Sequence, residues 1–324
     1  MKAILLKAYG LPNLLEIGEV AKPVPNDEEV LVRIHSASIN DSDWGLVRGK
    51  PFVIRLFFGL KKPKVNIPGV DISGKIEAVG GKVSSFKIGD EVYCDLTDCG
   101  FGGFAEYVCV PEKILSKKPS NISFNDASAL PHAGILALQG LVDNGKVRSG
   151  QRVLINGAGG GVGTLGIQIL KSYDRITVTG VDSGEKLDMM KSLGYDSVMD
   201  YKKTDFTDTG EKYDLILDTK SYKSVFKVAR SLKKNGTYIT MGGSMYRLLE
   251  VFLLGWLISL ITRKKLKVLI HEPNRGLDQI SKLVEKGQIR PAVDGPYGFD
   301  KIPELIQYFG EGKHFGKIVV EIDK

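Results

Sequence analysis

The chain has 324 residues, 43% of them hydrophobic and 26% charged, a balance that excludes a disordered chain or a bulk membrane protein. That length is more than one hydrophobic core comfortably serves, and it predicts about two domains. The 45 Lys and Arg outnumber the 38 Asp and Glu, giving a formal charge of +7. The surplus suits an anionic small ligand, whereas the basic residues are too scattered for a nucleic-acid surface. Three cysteines, Cys94, Cys99 and Cys109, lack the paired spacing of a zinc site and fit a reducing, cytoplasmic setting.

In chain order, residues 1–7 predict a first strand, because Lys7 interrupts the apolar run far short of a signal segment. Short strands at 30–37, 74–79, 91–94 and 104–110, punctuated by Gly, Asp and Pro, predict a β-barrel-like domain. At 121–143 the pattern turns helical, with Ser123 or Asn125 as caps. The boundary is placed there, with 1–120 and 269–324 in one domain and 121–268 in the other.

The apolar run 153–155 then leads into glycines. Read from Ala158, the pattern is A-x-G-x-x-G, with Gly160 and Gly163 in place and Gly161 and Val162 between them, and 164–171 reads as a helix. Glycine lets the chain turn sharply, approach a pyrophosphate and pack helix on strand, and the helix N-terminus offers N–H groups to phosphate. A strand at 175–181 closes on Asp182, nineteen positions after Gly163, where an acid reaches an adenosine ribose. A helix at 185–193, stopped by Gly194, and strands at 197–200, 213–218 and 237–241 complete an alternation that predicts a doubly wound parallel sheet.

Residues 248–261 are almost wholly apolar and include Trp256. As a helix this run spans about 21 Å, short of the roughly 30 Å hydrocarbon core. It reads as a buried helix, a wall over a substrate cleft or a dimer contact, in preference to an interfacial membrane anchor, since it lacks a polar face. The basic run Arg263-Lys264-Lys265 with Lys267 reads as a solvated face. Helices at 277–285 and 302–309 precede a closing strand at 317–322 that returns to the first domain.

An ordered set of motifs spans nearly the whole chain: 39–44 with Arg48-Gly49, Pro68-Gly69-Val70-Asp71 followed by 77–80 and 86–92, 102–107, 193–196 with 198–201, and Gly316-Lys317. In these the chain resembles the medium-chain dehydrogenase/reductases, in their zinc-independent, quinone oxidoreductase-like branch. The resemblance implies an α/β fold with a GroES-like β-barrel catalytic domain, a doubly wound Rossmann cofactor-binding domain, a cleft between them and a homodimer. Where zinc-dependent relatives hold their catalytic ligands, this chain has Asn40, Val70 and His132, and valine cannot ligate; no metal is expected.

Hydride transfer without a Lewis acid needs a positioned substrate and donors aimed at the oxygen that gains charge. Asn40 is the first candidate and His132 the second, as donor or acid, each with a bland reading as a turn residue or a structural histidine. Trp44 is either a flat wall for a quinonoid substrate or a packing residue. Relatives often carry threonine where this chain has Leu136. Asp182 favours NAD(H), while Lys186, Tyr201 and Ser183 fall where NADP-using relatives hold the 2′-phosphate. NADP(H) is the reading, with NAD(H) as the alternative, and Gly242 and Lys317 are placed with the cofactor residues. The expected activity is hydride transfer from NAD(P)H to a quinone, enone or related small carbonyl compound. The alternatives are an alcohol or polyol dehydrogenase and a non-catalytic NADPH-binding protein.

Overall fold

The computed structural model describes residues 1–322, which divide into two compact units: Met1–His132 with Pro273–Gly287 and 291–322, and Ala133–Glu272 with Gln288–Arg290. In the first unit a seven-stranded sheet runs in the order Val293–Gly298, Lys317–Glu321, Glu29–Ser38, Asp71–Val79, Glu91–Asp95, Ser116–Lys117, and Tyr107–Pro111 also pairs with Glu29–Ser38. The long strand Glu29–Ser38 is the hub. It is buried along most of its length, because strands pair on both sides and apolar residues such as Val32 and Ile34 enter the core. The C-terminal strand returns as expected, with Val319 opposite Ser38.

The first unit extends beyond the predicted boundary at 120/121. The helix Phe124–Ser128, capped by Ser123 on Asp126 N, is tied to the strands: the Phe124 ring stacks on His35 at 4.3 Å, its carbonyl accepts from Ser73 Oγ at 2.6 Å, and Asn125 Nδ2 donates to Glu321 Oε1 at 2.9 Å. Side-chain bonds between segments so distant in sequence leave no local signal, and the change to helical periodicity precedes the end of this stretch of the first compact unit, at His132, by about a dozen residues.

In the second unit six parallel strands, β1 (Arg152–Asn156), β2 (Thr177–Asp182), β3 (Ser197–Asp200), β4 (Tyr213–Asp218), β5 (Leu232–Thr240) and β6 (Lys265–Val268), lie in the order β3-β2-β1-β4-β5-β6. The strand order reverses between β1 and β4, so the ligand crevice of such a sheet lies at their carboxyl ends. There Asn156 Nδ2 donates to Asp218 Oδ1 at 2.8 Å. β6 was hidden inside the basic run: Lys265 and Lys267 point to solvent while Leu266 is buried. The apolar run forms a longer helix than predicted, Met245–Thr262. It rests on the protein through Val251, Gly255 and Ile258 and is otherwise largely exposed, contrary to a buried helix.

Candidate active site

β1 ends at Asn156, and the chain turns at Gly157, whose φ of +89° only glycine adopts without strain. The turning residue is thus one place before Ala158, where the motif was read to begin. Helix α1 (Gly161–Leu170) starts with Gly160 as its N-cap. A Cβ on Gly163 would lie 2.4 Å from the Ala158 carbonyl oxygen, so glycine is what lets α1 lie against β1. A Cβ on Gly160 would meet nothing closer than 3.6 Å, leaving an open face where the first N–H groups of α1 have no intrahelical partner. That cradle fits a pyrophosphate.

Asp182 ends β2 beneath this turn. Its Oδ2 accepts from Gly159 N and its Oδ1 from Ser183 N, both at 2.8 Å, and Lys186 Nζ lies 3.4 Å from Oδ1. Both partners are buried, at 7% exposure each. Burial pushes the Lys186 ammonium below its ordinary pKa, with Asp182 opposing the shift and Lys220 adding to it. The Lys186 stem also fills the space beside Gly159. Tyr201, exposed, follows β3 and donates its backbone N–H to the Asp182 carbonyl at 3.1 Å. Gly242 lies past β5, where a Cβ would come within 2.9 Å of the Thr219 carbonyl oxygen. Leu136 is buried in this unit's core.

The first unit holds a second group, wholly buried. Asn40 precedes the helix Asp41–Arg48 and donates its backbone N–H to Asp43 Oδ2 at 2.9 Å, while Asp43 Oδ1 accepts from Gly69 N at 2.9 Å. Gly69 has φ +103°, which the Pro68-Gly69-Val70-Asp71 signature requires to bring its N–H to this carboxyl. Asp71 is the hub: Oδ2 accepts from Ser38 Oγ, Asn40 Nδ2 and Lys317 Nζ, each at 3.0 Å, and Oδ1 accepts from His132 N at 2.9 Å. Asn40 Nδ2 donates also to the Ser38 carbonyl at 3.2 Å, and its Oδ1 accepts from Lys317 Nζ. The Asn40 amide is therefore engaged inside the protein. Lys317, placed with the cofactor residues by sequence, is instead the buried counter-charge of Asp71.

His132 is clamped. Nδ1 lies 2.8 Å from Asp95 and Nε2 lies 3.2 Å from Asp41, whose side chain is 65% exposed. Burial disfavours the imidazolium, but the Asp95 charge and the bonds to both carboxylates outweigh it and raise the His132 pKa well above the ordinary value. Crowding likewise disfavours charge on Asp41, yet its bond to His132 and the charges of His132 and Lys317 hold it at about 2. Burial pushes Asp43 up to about 7, helped by the Asp71 charge and opposed by its two N–H donors and by Lys317. Trp44 packs: the Arg48 guanidinium lies 4.2 Å from its ring centroid, and a Cβ on Gly310 would be 2.4 Å from the ring.

Sequence reasoning missed Asp95, Ser38 and Gly157. Asp95 is a strand end 37 residues from His132, and nothing local marks the pairing. Gly157 was legible as a glycine after an apolar strand, but motif matching drew attention to Ala158.

Residues 26–120 match the family described as the alcohol dehydrogenase GroES-like domain, and residues 193–320 match the zinc-binding dehydrogenase family. The chain is 32% identical to the 2-methylene-furan-3-one reductase of Solanum lycopersicum, over 99% of this chain and 79% of that protein. The chain belongs to the medium-chain dehydrogenase/reductase family. Another member, the chloroplast envelope quinone oxidoreductase homolog of Arabidopsis thaliana, is 29% identical over 99% of this chain and 98% of its own. The solved quinone oxidoreductase of Coxiella burnetii, another member, superposes with a TM-score of 0.88 at 26% identity, covering 100% of this chain and 99% of that one. Family membership makes this chain an oxidoreductase with a nicotinamide cofactor, and it gives the two units their identities as GroES-like and Rossmann domains.

Proposed function

We propose that the protein is an NADPH-dependent, zinc-independent reductase of quinones, enones or related small carbonyl compounds. The observation that carries the cofactor choice is the buried Asp182–Lys186 pair at the glycine turn. A bare carboxylate at the end of β2 would repel a 2′-phosphate. Here both carboxylate oxygens already accept backbone N–H groups, and an ammonium offsets the charge. A phosphate would supply that buried ammonium with a second counter-charge, with Ser183 and Tyr201 beside it.

The bound nicotinamide would supply the hydride. The chain's own part is to seat the pyrophosphate on the open Gly160 face and the first turn of α1, and to hold the loop that begins at Asn40. Asn40, Asp71 and Lys317 act as positioning residues, because their polar atoms are spent on one another. His132 keeps its proton between two carboxylates and fixes the Asp41 carboxylate at the exposed end of the clamp.

Zinc independence is supported by the residues present. At the positions where zinc-dependent relatives hold their ligands, Val70 has no donor atom and the Asn40 amide is engaged inside the protein; His132 lies with Asp95 and His271, whose ligand atoms fall within 4.8 Å of one another. The substrate class rests on the printed names of the relatives, a furanone reductase and quinone oxidoreductases. Fluorescence titrations of Lys186→Ala test the cofactor assignment. NADPH affinity should fall at least about tenfold while NADH affinity changes little; unchanged NADPH affinity would overturn it.

A further inference from the structure

Beside the Asp182–Lys186 pair, the carboxyl end of β4 presents a second lysine. Past Asp218 the chain runs Thr219-Lys220-Ser221, and the buried Asp218 carboxylate pins this turn from inside. Its Oδ1 accepts from Asn156 Nδ2 at 2.8 Å and from the backbone N–H groups of Lys220 and Ser221, each at 2.9 Å, while Oδ2 accepts from the Tyr238 hydroxyl at 2.9 Å. Ser221 is held at φ +45°, a left-handed conformation uncommon for a residue with a Cβ. From the other side Gly243, at φ +97°, packs so closely that a Cβ there would lie 1.6 Å from the Lys220 carbonyl oxygen. The Lys220 backbone is thus gripped on both sides, and the point from which its exposed side chain leaves is fixed.

That side chain runs to the glycine turn. Lys220 Cε would be 3.4 Å from a Cβ on Gly157, just as Lys186 Cδ would be 2.6 Å from one on Gly159. Gly157 is also tied to the end of β2, donating its N–H to the carbonyl of Val181, the neighbour of Asp182, at 2.9 Å. The two lysines therefore approach one corner of the site, from β4 and from the segment after β2. Burial does most to push the Lys186 ammonium below its ordinary pKa, and the Lys220 charge adds to it. Asp182 is engaged by Lys186 and by two backbone N–H groups. Among the described residues, no carboxylate lies within ion-pair distance of Lys220.

Like charges gathered at a ligand corner, with one of them lacking an acid, call for an anion. A phosphate monoester carries about two negative charges near neutral pH, more than an ammonium already shared with Asp182 offsets. Lys220 supplies the missing charge, on a flexible stem that can reach the phosphate. The pyrophosphate cradle lies elsewhere: a Cβ on Gly160 would meet only the Gly157 carbonyl oxygen, at 3.6 Å, and no part of Lys220. We propose that Lys220 is a second cation for the 2′-phosphate of the cofactor and sets, together with Lys186, the preference for NADPH over NADH. This rests on the reading of the protein as NADPH-dependent.

Fluorescence titrations of the full-length protein with NADPH and with NADH, repeated for Lys220→Met and Lys220→Arg, test this. Lys220→Met should weaken NADPH binding at least about tenfold and leave NADH binding within about twofold, because only NADPH carries the extra phosphate. Lys220→Arg, which keeps the charge, should retain most of the NADPH affinity. NADPH binding by Lys220→Met should also be less sensitive to added salt than that of the parent. Unchanged melting of each variant without cofactor confirms its fold. Parental NADPH affinity in Lys220→Met overturns the proposal, and so do equal losses for the two cofactors, which would put Lys220 on the pyrophosphate instead. A parent that binds NADPH no tighter than NADH removes the NADPH reading and the proposal together, whereas a preference that survives in Lys220→Met removes the proposal alone.

Discussion

Asp71 shows how one carboxylate organises a loop, a strand start and the C-terminal strand at once. It is fully buried, and Lys317 at 3.0 Å is its counter-charge. Removing one partner of such a pair leaves an uncompensated buried charge, which costs about 3–5 kcal/mol. Lys317→Met should therefore lower unfolding stability by about that amount in urea titrations, and adding Asp71→Asn should recover part of it. The His132 clamp makes a separate, pH-dependent contribution. Because its folded pKa is raised, that stability is fully present below the unfolded value of about 6.5 and is lost as pH rises through the folded one. Asp41 is held at about 2, so its share is present above about pH 4 and lost as pH falls toward 2. Asp43, raised to about 7, has the reverse sign for a carboxyl: the fold loses its share between about pH 4 and 7. Melting His132→Gln from pH 6 to 10 should show a shallower alkaline decline than the parent, and an equal slope would remove His132 as its source.

The glycine turn and the strands around it were legible because local rules fix them. An apolar strand, a left-handed Gly157 and a helix cap at Gly160 are decided within eight residues, and three of the six Rossmann strand ranges carried enough alternation or apolar run to be placed closely. Gly163→Ala tests the turn directly, since its new methyl would meet main chain that cannot swing aside. Stability should fall by about 1–3 kcal/mol, and NADPH affinity should fall with it as α1 moves off β1. The strand Val293–Gly298 escaped sequence reading because Gly295 and Pro296 interrupt it, and β6 escaped because its alternate lysines looked like a charge run. The helix Met245–Thr262 was legible as an apolar run, though only over 248–261. Its exposure was not, because an apolar helix reads as buried unless one knows that a single stripe already satisfies its packing.

Taken as a whole, the molecule joins two designs that a single sequence reveals unequally. The Rossmann unit announces its ligand through backbone needs, and backbone needs leave glycines. The GroES-like unit builds its site from side chains brought together across as many as 277 residues, as for Lys317 and Asn40, and such pairings leave no periodic trace. That is why Asn40 and His132 could be nominated by resemblance, and Asp71 and Lys317 noticed, while the pairings that join them to one another and to Asp95 and Asp41 emerged only from the structure. The proposed function is NADPH-dependent reduction by this constellation without zinc. Its most direct test is turnover of NADPH with a quinone and enone panel by protein dialysed against chelator, with residual metal quantified in the same sample. Undiminished kcat/KM is expected at far below one metal per chain. Activity that vanishes on stripping and returns with one equivalent of zinc would contradict it.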